Sequence, residues 1–508
     1  MTERTRYIKY LLIAVFAFAC PPASAQDQSC CKAGADSLTV DSVCCGRDSV
    51  SCAAEITDSL TWLIAQADSG NADAIGQLAR RYEIGDGVEP DSLKAAQLYV
   101  EAIKHGNAGV IPMHDKLARE QHSVFSALFL HDIYTYGKGV RRNFANAAEY
   151  LGIAAESGHA ESMFSYALGL YNNKKYDESA LWFKNAAESG NVSAAYLYGH
   201  QVYQGMGVAQ DKAEGIKFIE EAAKKDHNVA NYEMGRVILS GELPGRDASE
   251  AVEFLEKAAP AYRQAAWLLG ACCKDGRGTA VDYDRAVHWM VVAFDDGKAT
   301  REKIQKMLAD DGDGPFTQYL RGLYRLNIDR RPEEAQTWFG QVAKAGIADG
   351  EVMTALCMVD TLNAKPDGKK AVKTLQKHAA EKVQARYFLY RCYDNGWGVK
   401  TDKSLAMEWL TQAVESGYGS ALCEMADKYM EGEDVGQDLT KAAGMYLQAE
   451  RLHYLSPASA KNLARCYEMK VTSLPDLDKA ESRVKELKSL KESTNFNLFI
   501  SQVSFNQQ

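Results

Sequence analysis

Residues 396–417 read GWGVKTDKSLAMEWLTQAVESG, and the skeleton of that stretch returns along the chain. A Gly-x-Gly or near match stands at Gly85-Asp86-Gly87, Gly137-Lys138-Gly139, Gly205-Met206-Gly207, Gly276-Arg277-Gly278, Gly396-Trp397-Gly398 and, degenerate, Gly432-Glu433-Asp434. Four residues later comes Asp91, Asn143, Asp211, Asp282, Asp402 or Asp438. Four further on is a small residue: Ala95, Ala147, Gly215, Ala286, Ala406 or Ala442. Three beyond it lies a large apolar one (Leu98, Tyr150, Phe218, Trp289, Trp409, Met445), and four later an alanine (Ala102, Ala154, Ala222, Ala293, Ala413, Ala449). Weaker copies surround Ser179, Ala251, Ala335, Ala371 and Ala480. The repeat length is about 36 residues, with insertions near 107–122 and 298–313.

Each column has a physical reading. The Asp or Asn accepts hydrogen bonds from free amides at a helix N-terminus and suits the positive end of its dipole. The small, large apolar and alanine positions fall on the i, i+3, i+4 stripe of an amphipathic helix. Gly106, Gly158, Gly190, Gly297, Gly346 and Gly417 stand where that helix ends, and a left-handed residue there costs glycine least. One unit is therefore a helix–loop–helix hairpin that cannot bury its apolar stripe alone. The sequence predicts an all-α solenoid of about eleven stacked hairpins over residues 59–490.

The pattern Gly-x-Gly-Val (Val88, Val140, Val208, Val399), a capping acid, then Ala, Trp and Ala-Ala-x-x-Gly resembles the Sel-one-like repeat (SLR), a relative of the tetratricopeptide repeat. The resemblance implies an α/α right-handed superhelix that holds proteins or peptides in a concave groove, often in bacterial envelope or host-interaction roles. The cysteine-rich branch of that family places a Cys in each helix of a hairpin; no hairpin here shows that pair.

Composition narrows the function. Apolar residues make up 46% of the 508, enough for a packed chain. Net charge is −10, which opposes nucleic-acid binding, since neutralising phosphates needs clustered Lys and Arg. Arg4, Arg6 and Lys9, the apolar run Leu11–Ala19 and the Ala23-Ser24-Ala25 site predict a signal peptide over 1–25, with Gln26 first in the mature, exported, periplasmic or envelope-associated chain. A lipid anchor at Cys20 is the alternative, from the loose lipobox Ala17-Phe18-Ala19-Cys20. Residues 26–58 read as a tether carrying Cys30, Cys31, Cys44, Cys45 and Cys52, and 491–508 as a tail. Disulfides or redox-labile thiols fit that tether better than zinc, because the C-x2-C knuckle is missing. Cys272, Cys273, Cys357, Cys392, Cys423 and Cys466 sit in helical patterns and read as buried free thiols.

Catalytic signatures are thin. His105, His114, His122 and His131 span the first insertion without metal-site spacing and read as loop and surface residues. Asp310, Asp311 and Asp313 lack the Glu of a calcium loop at the twelfth position, which is Arg321. Ser29–Lys32 and Ser482–Lys485 match Ser-x-x-Lys without the partner motifs of penicillin-recognising enzymes. The expectation is a non-catalytic exported scaffold with a protein or peptide partner, no cofactor and no metal. A cell-envelope hydrolase, β-lactamase-like or otherwise, and a thiol or metal sensor using the tether are the alternatives. Positions −5 and −9 from each first loop glycine share one face of the first helix. They give Tyr196/His200, Trp267/Ala271 and Tyr387/Arg391, so Tyr196, His200, Trp267, Tyr387 and Arg391 are the candidate partner-binding residues.

Overall fold

The computed structural model describes residues 60–294, 312–327, 329–359 and 367–489. The expected signal peptide, Cys20, the cysteine-rich tether, most of the second insertion and the tail lie outside them. Among the described residues all regular structure is helical, and no helix is long and apolar enough to cross a membrane.

After α1 (60–68), helices come in pairs joined by short loops. The first are α2 (Ala72–Ile84) with α3 (Ser92–Lys104), then α4 (Val110–Gln121) inserted alone, then α5 (Val124–Tyr136) with α6 (Phe144–Glu156). Next come α7 (Ala160–Asn172) with α8 (Tyr176–Glu188), α9 (Val192–Gln204) with α10 (Lys212–Lys224), and α11 (Asn228–Leu239) with α12 (Ala248–Ala258). They are followed by α13 (Arg263–Asp275) with α14 (Tyr283–Phe294), α15 (Pro315–Asn327) with α16 (Pro332–Lys344), and α17 (Ala348–Val359) with α18 (Gly368–His378). The last pairs are α19 (Val383–Asn395) with α20 (Lys403–Glu415), α21 (Gly419–Glu431) with α22 (Leu439–Arg451), and α23 (Pro457–Glu468) with α24 (Ala480–Ser489). The weaker copies around Ser179, Ala335, Ala371 and Ala480 are thus paired helices too.

The loop explains the glycines and the acid. Gly396 ends α19 in the left-handed region at φ 75°, its N–H on the carbonyl of Cys392. The N–H of Asp402 then donates to Tyr393 O at 3.0 Å, and its carboxylate accepts from Leu405 N at 3.0 Å. Asp91, Asn143, Asp211, Asp282 and Asp438 repeat both bonds. Gly398, at φ 73°, has a second constraint: a Cβ there would lie 2.0 Å from the carbonyl carbon of Gly368, at the start of the preceding hairpin's second helix. The loop of one repeat is seated on the backbone of the one before.

The stripe on the second helix packs as its period requires, with one refinement. Ala95, Ala286, Ala406 and Ala442 are buried. In four repeats the large residue that fills the core is the next one along, Tyr99, Ile219, Leu410 or Tyr446, while Leu98, Phe218, Trp409 and Met445 stay partly exposed. Four residues bring a side chain back over the alanine more closely than three. Burying such a side chain contributes roughly 2–3 kcal/mol. The helices group into two compact units, one through Phe218 and one from Ile219 onward.

Candidate partner-binding face

In the pairs that carry the Gly-x-Gly loop, the first helix ends at the loop glycine, as at Gly205, Gly276 and Gly396. On α9, Tyr196 and His200 stand one turn apart, both half-buried, with ring centroids 6.2 Å apart. On α13, Trp267 is 41% exposed, unusually open for the largest apolar side chain. On α19, Tyr387 and Arg391 are half-buried and turn toward the next hairpin: both approach Glu424 Oε2, at 3.5 and 3.4 Å, while Tyr390 donates to Oε1 at 2.8 Å. The structure thus brings Tyr196 beside His200 and Tyr387 and Arg391 onto one carboxylate, and in α19 it commits that pair to packing between repeats.

A second cluster, which the sequence pattern does not reveal, lies where α14 meets the starts of α17 and α19. Asp284, Asp349, Lys382 and Gln384 are buried there. Lys382 Nζ is 2.8 Å from Asp349 Oδ1 and 3.7 Å from Asp282 Oδ2. Burial, with Asp282 and Asp349 nearby, drives the Asp284 carboxyl well above the usual carboxylate range, against the opposing pull of Lys382. The only sequence signal is positional: Lys382 occupies the place where Asn71 and Asn191 cap other first helices, and it makes no side-chain cap.

The histidines of the first insertion do not converge, and one departs from the expected surface placement. His105 and His122 are exposed and His131 is half-buried, but His114 is fully buried. The insertion folds as α4 and sets His114 edge-on to Tyr99 at 4.4 Å and beside Phe129 at 4.6 Å. Its Nδ1 meets Ser126 Oγ at 2.9 Å, and desolvation pushes its pKa down to about 4. Among the described residues no three His, Cys, Asp or Glu side chains group as a metal site requires. The six described cysteines are buried and free, as expected; burial pushes Cys273 and Cys392 up to about 12 and Cys423 to about 11. Such thiols are poor nucleophiles. A surface depression of about 660 Å³ along Lys403, Met407, Thr411 and Asp434 lies on a second helix, away from the paired residues.

The Sel1 repeat family model matches residues 72–107, 127–159, 192–227, 228–259, 263–297, 382–418 and 419–454. The chain belongs to the Sel1-repeat family. The pairs α7/α8, α15/α16, α17/α18 and α23/α24, which lack the Gly-x-Gly, are the ones the family model leaves out. Among solved structures, this Sel1-repeat chain is similar to a protective antigen of uropathogenic Escherichia coli strains displaying an SLR fold (21% identity, 84% of this chain and 93% of that one, TM-score 0.36). It is also similar to a Sel1 repeat protein from Oxalobacter formigenes (20%, 63% and 91%, TM-score 0.31). A putative Sel1 repeat protein from Klebsiella pneumoniae gives 18% identity, 39% and 98% coverage and a TM-score of 0.26. No curated protein sequence matches the chain.

Proposed function

We propose that this Sel1-repeat chain is a non-catalytic exported scaffold that holds a protein or peptide partner on the exposed faces of its first helices. The observation that carries the reading is Trp267, a tryptophan left open on a first helix whose other large apolar side chains are mostly buried. Large aromatics of this kind are the residues that most often carry binding energy at interfaces. Tyr196 and His200 offer the same chemistry in the first unit. Tyr387 and Arg391 contribute at the edge, since Glu424 already engages them. Export is supported by the signal-peptide pattern ending at Ala25, and mass spectrometry of the mature N-terminus should give Gln26; an acylated Cys20 would replace that reading with a lipoprotein.

The site is tested by placing a photo-crosslinking amino acid at Tyr196, at Trp267 and at Leu181, an exposed residue of a second helix. In native envelopes the first two positions should yield a discrete adduct and Leu181 none. Equal labelling at all three, or none at either first-helix position, refutes the assignment.

A further inference from the structure

In the second unit, the hairpin of α13 and α14 is bound to residues much later in the chain. The Tyr283 ring meets Phe316 at 5.2 Å and Tyr319 at 5.6 Å, both on α15, and its N–H donates to Asp349 Oδ2 at 3.0 Å. Lys382 Nζ donates to the carbonyl of Val281 at 2.9 Å, and Gln384 Nε2 to Asp284 Oδ1 at 3.1 Å. One turn or more further on, His288 stacks on Tyr454, with centroids 3.8 Å apart and planes within 8°. Its Nε2–H donates to Leu452 O, 164 residues away, at 3.0 Å. His453 Nε2–H reaches Pro260 O at 2.7 Å across 193 residues. A carbonyl only accepts, so both rings carry their proton on Nε2.

These contacts are not what stacking of neighbouring repeats needs. Apolar packing suffices for that, whereas here a buried lysine sits among three carboxyl groups, two of them buried, an arrangement that costs desolvation and is weak evidence of stability alone. His453 adds a second, independent sign. It is held at φ 61°, two residues past the end of α22. The corresponding places after α16 and α20 hold Gly346 and Gly417 at φ 83° and 73°. After α10 the same place holds Asp226 at φ 57°, so the left-handed turn belongs to the hairpin; what sets His453 apart is the reach of its side chain to Pro260.

We propose that these residues form a latch that holds α14 against the starts of α15, α17 and α19, and that its release uncovers Tyr319, Asp349 and Gln384, so that closure of this face is a regulated state of the second unit. The aromatic path Tyr387–Tyr418–Tyr454–His288, with steps of 5.3, 6.3 and 3.8 Å, joins the latch to the candidate partner residue on α19. The latch goes beyond partner binding and stands whether or not a partner docks there.

The charges facing Asp284 set the condition for release. They are Asp282 on the turn before α14, Asp349 on α17 and Lys382 before α19; Tyr319, Tyr418 and Tyr454 also feel its charge. Those tyrosines are held well above their ordinary range by burial and stay neutral in mild alkali. A carboxyl whose proton is held more tightly in the folded state stabilises fully below the ordinary aspartate range, and that stability is lost as pH rises toward the raised value. His288, pushed down to about 3 by burial, has the opposite sense: its contribution is lost as pH falls from the ordinary histidine range. Above the ordinary histidine range His288 is neutral whether folded or unfolded, so only the Asp284 effect remains of these two, and the latch weakens as pH rises from the aspartate range toward the raised Asp284 value.

Hydrogen–deuterium exchange of the full chain in steps from pH 6 to 9, corrected for intrinsic amide rates, reads this directly. Amides of α14 and α17 should exchange at least tenfold faster at pH 9 than at pH 6, while α2 and α3 keep their protection. Asp284→Asn, which keeps the acceptor for Gln384 and cannot ionise, should abolish the pH dependence. Lys382→Met should exchange fast at every pH. Wild-type protection unchanged at pH 9, equal pH dependence in Asp284→Asn, or a folded Lys382→Met protein protected like wild type would each overturn the latch. If circular dichroism shows Lys382→Met unfolded, the near-isosteric Asp284→Asn comparison decides alone.

Discussion

The two units build the same hairpin but begin its first helix differently. In the first, Asn71, Ser123, His159 and Asn191 each cap the helix that follows with a side-chain acceptor. In the second, His227 and Ser456 do the same, yet Tyr262, Lys382 and Tyr418 stand in that position and make no side-chain cap. Tyr262 packs on Tyr232, Lys382 reaches Asp349 and Val281, and Tyr418 lies between Tyr387 and Tyr454. A cap is a local bond worth about 1 kcal/mol. Where it is given up, Tyr262 and Tyr418 gain ring contacts with adjacent hairpins, and Lys382 gains a bond to Val281, three hairpins back, which makes that part of the unit more than a row of neighbours.

The sharpest way to break this contrast is to remove one side chain from each arrangement. Lys382→Met leaves buried carboxyls without their cation and should destabilise by roughly 3–5 kcal/mol. Asn191→Ala in the first unit should cost only about 1 kcal/mol. Urea unfolding monitored by circular dichroism measures both; equal losses would mean that Lys382 acts as an ordinary first-helix residue. Next in size is a feature both units share. Gly398→Val meets both a left-handed backbone and the Gly368 carbonyl carbon, so about 3 kcal/mol of destabilisation is expected. A variant with an unchanged midpoint would show that the loop is not seated as described.

Acid acts on a buried histidine in each unit, His288 in the second and His114 in the first. His114 is neutral in its aromatic surround, with its pKa pushed down to about 4, so its contribution is present above the ordinary histidine range and lost as pH falls toward that value. The loss approaches about 3 kcal/mol. His114→Phe should flatten the acid limb of a stability–pH profile; an unaltered limb would place the acid sensitivity elsewhere. The smallest effect is Asp402→Ala, about 1 kcal/mol, checked by the same unfolding curves.

Much of this was legible because a repeat states its rules many times. The six capping acids or amides, the left-handed glycines and the buried alanines can be read from spacing, since each acts within a few residues of itself. The position of the core-filling residue was read one place early, because i+3 and i+4 lie on neighbouring parts of one helix face and only packing separates them. His114 was misread as surface because its insertion has no repeat to set its register. The latch was beyond reach for a different reason: Asp284, Asp349 and Lys382 come from three hairpins, and nothing local in any of them announces the other two. The pairing of Tyr196 with His200 and of Tyr387 with Arg391 follows from helix geometry, whereas the engagement of the second pair by Glu424 depends on how one hairpin stacks on the next.

Hydroxyl-radical footprinting of the intact protein at neutral pH compares the two situations in one experiment, because it labels aromatic rings by their access to solvent. Trp267 should be modified readily, while Tyr319 and Tyr418 should be protected until the protein is unfolded or the latch is broken by Lys382→Met. Labelling of Tyr319 and Tyr418 in the folded wild-type chain at rates like that of Trp267 would contradict the closed second unit and leave it an open row of hairpins.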